Sequence, residues 1–109
     1  MQPSTNIGEE AMHAAMISYK ESFDGEMMEI LKALNINSYT KLPQVMDKSE
    51  KGRPKLGTHI FPGFNSVLLL TIEEDKKDFL FKKLKEFNEE HKFDKIKAYC
   101  WKVEECIFD

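Results

Sequence analysis

The segment Ser66–Ile72 carries apolar side chains on both sides of an extended chain. Leu68, Leu70 and Ile72 fall on one face, Val67 and Leu69 on the other. A sheet covered on one side only reads differently, as alternating apolar and polar positions. Two more stretches repeat the two-sided pattern. Ala14 and Met16 oppose Ala15 and Ile17, and Ala98 and Cys100 oppose Tyr99, Trp101 and Val103. A fold built on these strands has to cover its sheet twice.

Only two segments carry helical periodicity. In the first, Phe23, Met27, Ile30, Leu31 and Leu34 recur at helical spacing, with Ser22 or Asp24 to cap the start and Asn35 to stop it. In the second, Leu80, Leu84 and Phe87 form a stripe widened by Phe79, behind an acidic start at Glu73, Glu74 and Asp75 that suits the helix dipole. The predicted strands are Met12–Tyr19, Ser38–Met46, Ser66–Ile72 and Lys95–Val103. A long Gly-, Pro-, Lys- and Ser-containing loop, Asp47–Asn65, joins the middle two. This order predicts an α+β, ferredoxin-like β-α-β-β-α-β domain: a four-stranded antiparallel sheet with two helices on one face. No helix remains for the second face, so another copy of the chain is the economical cover.

The 109 residues suit one domain. Residues 12–109 form it, and the polar, patternless residues 1–11 read as a disordered tail or expression remnant, with Met12 a natural start. A net charge of -3 lacks the basic stripe of a nucleic-acid binder. No apolar run approaches the roughly 18 residues of a membrane span, and no signal peptide opens the chain. Cys100 and Cys106, if they share a strand, stand roughly 20 Å apart and cannot bridge. They read as reduced thiols of a cytoplasmic protein, Cys100 as a small buried hydrophobe. Met12, Met16, Met27, Met28 and Met46 read as core packing, and Tyr99 and Trp101 as filling of an intersubunit core.

Three strings carry a resemblance: Tyr39-Thr40-Lys41-Leu42-Pro43-Gln44-Val45, Leu56-Gly57-Thr58-His59-Ile60-Phe61-Pro62-Gly63, and the lysine–hydrophobic alternation from Lys95 into Val103-Glu104. Together with the element order, they make residues 12–107 resemble the PII-like superfamily of nitrogen regulatory P-II and CutA-like proteins. The resemblance implies a homotrimer whose three sheets meet inside. It implies small ligands, often adenine nucleotides, in clefts between subunits, and a loop after the second strand that contacts a target protein or transporter. The chain departs from the pattern where phosphate is held. The turn Glu89-Glu90-His91-Lys92-Phe93-Asp94-Lys95 contains no glycine, so its backbone cannot easily fold N–H groups around a phosphate. The arginines that follow the last strand in P-II proteins, and the tyrosine some carry in the loop, are also missing.

On this reading Lys41, Gly57, Thr58 and His59 are the candidate ligand-binding residues, toward a small, anionic ligand. The effector loop is 47–58, with Lys48, Lys51, Arg53 and Lys55 giving Asp47–Lys55 a net +2 on a negative chain. The same charges also suit a plain solvated loop. His59 is open to a structural, a ligand or a metal role, but one histidine is not a site where roughly three or four donors are needed. No cofactor is identified. The leading function is a trimeric regulatory protein that senses a small ligand, not an enzyme. The alternative is CutA-like divalent-metal tolerance or a heavy-metal-efflux-associated sensor. An acylphosphatase would need an arginine-cradled phosphate on a glycine-bearing first loop, whereas this chain has Tyr19-Lys20-Glu21-Ser22 there and one arginine, Arg53. RNA binding on the sheet would need aromatics on central strands and a basic face, and Leu68-Leu69-Leu70 offers neither.

Overall fold

A computed structural model of the chain describes residues 12–46 and 64–107. Strand β1 (Met12–Lys20) runs into a single 3₁₀ turn (Glu21–Phe23) and helix α1 (Asp24–Ala33). Strands β2 (Thr40–Val45) and β3 (Asn65–Glu73), helix α2 (Glu74–Glu90) and β4 (Lys97–Lys102) follow. The sheet order is β2-β3-β1-β4 with every neighbour antiparallel. This is the ferredoxin-like arrangement the element order predicts. Residues 1–11 and most of the Asp47–Asn65 loop lie outside the described residues.

The core forms where the alternating positions of β1 and β3 meet the helix stripes. Ala15 faces Leu70, Ile17 faces Leu68, and Tyr19 faces Ser66. Ile17, Leu68 and Leu80 are wholly buried, beside Met27, Leu31 and Leu84. Just past the end of α1, Asn35 takes the left-handed conformation (φ 62°). The Ile36 N–H donates to the Leu31 carbonyl (2.8 Å) and the Asn35 N–H to that of Lys32 (2.9 Å), a Schellman stop that seats Ile36 in the core next to Leu31. The Lys76 ammonium donates to the Asn35 carbonyl at 2.9 Å, placing a cation where the helix dipole is negative.

The other side of the sheet is apolar too. Ala14, Met16, Val67, Leu69, Leu42, Tyr99 and Trp101 share it, as the pairings Ala14–Trp101, Met16–Tyr99, Met16–Leu69 and Leu42–Val67 require. Among the described residues no helix packs on this side, and Trp101 and Tyr99 keep about half their surface exposed (50% and 52%).

Several sequence expectations are corrected. Cys100 is exposed, because it lies on the helix side of an outer strand, where the helices' cover runs out. Phe79 is exposed and falls off the α2 stripe, while Phe81 packs against the core. Met46 is exposed rather than core. Strand β2 begins at Thr40 and β4 spans Lys97–Lys102, each shorter than its apolar pattern suggests. No side chain among the described residues caps α1; the 3₁₀ turn leads the chain into it.

Leu80→Ala is expected to cost about 2–5 kcal/mol, the usual range for a buried leucine. Phe79→Ser should stay within about 0.5 kcal/mol, as befits a surface position. Urea denaturation of the two variants checks this. Equal losses would contradict the packing described.

Candidate functional site

Lys41 is the one candidate ligand-binding residue within the described chain. It stands on the helix side of β2, opposite Leu68. Its ammonium donates to both oxygens of Asp24, at 2.8 and 3.1 Å. The Tyr19 hydroxyl donates to Asp24 Oδ1 at 2.6 Å. Strand β1 supplies the phenol, the first turn of α1 the carboxylate, and β2 the cation. The Lys41 hydrogen bond, then that of Tyr19, holds the Asp24 carboxyl below the usual carboxylate range, against the smaller opposing effect of burial. Burial and then the Asp24 carboxylate push the Tyr19 phenol well above its ordinary value. The arrangement keeps a charged pair where the start of β2 meets the first turn of α1. Gly57, Thr58 and His59, with Lys48, Lys51, Arg53 and Lys55, lie outside the described residues.

The turn after α2 is organised by a residue the sequence reading passed over. The Asn88 side-chain amide donates to the Ile96 carbonyl (2.9 Å), and its oxygen accepts from the Ile96 N–H (2.7 Å). His91 stacks on Phe87 with centroids 3.9 Å apart, and Phe23 meets both rings edge-on. Asp94 pairs with Lys20 at 3.4 Å. Side chains therefore fix this turn, and the main-chain polar groups of Ile96 are already engaged. A two-way asparagine bracket has no spacing signature that could have announced it.

On the uncovered side of the sheet a shallow groove of about 410 Å³ runs between β2 and β4, lined by Ala14, Ser38, Thr40, Leu69, Thr71 and Trp101. Its walls are apolar or hydroxylic and carry no charge. Among the described residues no three His, Cys, Asp or Glu side chains could hold a metal ion. No helix among them is long and apolar enough to cross a membrane.

Neither a family model nor a curated relative matches this sequence. Solved structures do match its fold. A PII-like signalling protein from Thermus thermophilus superposes with a TM-score of 0.61 at 20% identity, over 83% of this chain and 84% of that one. CPII from Thiomonas intermedia, a nitrogen regulatory PII-like protein, was solved bound to ADP, AMP and bicarbonate. It gives 0.61 at 13% identity, over 84% and 93%. The same protein bound to ADP and bicarbonate gives 0.62 at 14%, over 86% and 89%. The chain shares the ferredoxin-like fold of these proteins.

The low value of the Asp24 carboxyl ties the pair to acid stability. Its contribution is full above the ordinary aspartate value of about 3.9 and fades as pH falls through the lower folded value. Both partners are partly exposed (29% and 39%), so Lys41→Met should cost at most about 1 kcal/mol at pH 7. Urea midpoints should differ there and converge when Asp24 is protonated. A gap that persists in acid would mean that Lys41 contributes through packing instead.

Proposed function

We propose that this chain is a divergent member of the PII-like superfamily and works as a regulatory protein, not an enzyme. In this reading it assembles as a homotrimer with the open sheet faces turned inward. It senses a small ligand at the subunit boundaries and acts on a target protein or transporter through residues 47–58, in the cytoplasm. The observation that carries the reading is the row of Leu42, Leu69, Tyr99 and Trp101, all exposed on the side of the sheet that no helix among the described residues covers. A contiguous apolar face costs solubility unless something covers it, and an identical face is complementary in character. The likeness in fold to PII-like signalling proteins supports assembly through that face and a regulatory role.

Light scattering on the purified protein tests the assembly. The expected mass is that of a trimer, and Leu69→Glu, which puts a carboxylate on the open face, should reduce it to a monomer with unchanged circular dichroism. A monomeric wild type at micromolar concentration would overturn the reading.

The ligand-bound forms of CPII support a small-ligand role. In this chain, however, the turn at residues 89–95 lacks glycine and is held by Asn88. Weak ADP binding is therefore expected by calorimetry. A Kd on the order of 1 μM, about -8 kcal/mol, would show that other residues supply the phosphate contacts. Bicarbonate titration is the companion measurement.

Replacing Lys48, Lys51, Arg53 and Lys55 by Ser tests the loop, with poly-glutamate as an acidic probe. The fold should survive, binding should weaken, and most of its salt dependence should disappear. Unchanged binding would reduce the segment to a solvated spacer.

A further inference from the structure

The two strands that flank residues 47–63 are tied to a single residue of the β1–α1 connection. The Glu21 carboxylate accepts from the Gln44 N–H at 2.9 Å, at the end of β2. The Glu21 N–H donates to the Phe64 carbonyl at 3.0 Å, just before β3. The need for such a partner at Gln44 is visible in the ladder. Pairing of β2 with β3 shifts between Leu42 and Val45, and Pro43 within that interval has no N–H. Gln44 takes a positive φ of 57°, a conformation a side-chain-bearing residue holds only where its surroundings fix it. The bulge removes Gln44 from the regular register, and a carboxylate from another part of the fold meets its N–H.

Glu21 sits in a short span that reaches both flanks repeatedly. The Asn65 amide donates to Ser18 Oγ at 3.2 Å, and Asp24 accepts from Lys41. Ser18, Glu21 and Asp24 are thus joined to Lys41 and Gln44 on one side and to Phe64 and Asn65 on the other. Of these three, Glu21 is the one whose own bonds reach both the end of β2 and the start of β3.

We propose that Glu21 is a positioning residue that fixes the two exits of the 47–63 segment relative to each other and to α1. Its bearing on recognition rests on the reading of that segment given above. The anchor itself does not, because it is defined by residues of the sheet and the 3₁₀ turn.

Amide hydrogen exchange on the full chain tests this with Glu21→Ala and Glu21→Gln. Loss of a bond to a charged acceptor should speed exchange at Gln44 in Glu21→Ala by about tenfold, with Ile17 and Leu68 unchanged. Glu21→Gln keeps a carbonyl oxygen at the same reach and should restore most of the protection, which a general loss of stability would not allow. Unchanged exchange at Gln44 in Glu21→Ala, or equal acceleration at Gln44 and Leu68, would overturn the proposal. The charge-removal variant of the segment reports separately. Loss of its effect on poly-glutamate binding would remove the recognition reading, while exchange at Gln44 would still decide the anchor.

Discussion

A sheet with apolar side chains on both faces and, among the described residues, helices on only one is the constraint on which the rest of this molecule depends. The helix-covered face supplies the core, with Ile17, Leu68 and Leu80 sealed from solvent. The opposite face puts Trp101 beside Ala14 and Tyr99 beside Met16. Burying one such side chain is worth roughly 1.5–3 kcal/mol. Leaving several in water forfeits a large part of a small domain's margin of stability. The proposed assembly recovers that margin without adding an element to the fold.

The corner between β1 and α1 performs the second structural task. Residues from Ser18 to Asp24 bind the ends of β2 and β3 through side chains and main chain. The ladder of β2 is interrupted here, by a proline and a register shift near its end. Polar contacts from the neighbouring connection add to the ladder there. The same substitution of side-chain bonds for backbone regularity recurs after α2, where Asn88 brackets Ile96.

Much of the fold was legible because it follows from period. Leu80, Leu84 and Phe87 repeat as a helix does, and Leu68, Leu70 and Ile72 as a strand does. Asn35 marked its helix end because few side chains tolerate the left-handed conformation found there. The uncovered face was legible for the same reason, since both registers of β3 are apolar. Exposure at the margins was not. Cys100 and Phe79 belong to the right elements, but burial depends on how far the helices extend over the sheet, which a local pattern does not encode. The polar contacts were the least legible. Asp24 read as a helix cap and instead holds Lys41 and Tyr19. Glu21 and Asn88 carried no signal at all, because their partners lie 23 and 8 positions away.

The open sheet face can be interrogated through its own chromophore, since Trp101 is the chain's single tryptophan and is half exposed in the isolated subunit. Acrylamide quenching of its fluorescence, followed from micromolar concentration down through dilution, measures whether that face is covered. The account predicts blue-shifted, shielded emission when concentrated. It should turn red-shifted and freely quenched on dilution, or at any concentration in Leu69→Glu. Emission that is freely quenched in the concentrated wild-type protein would contradict it.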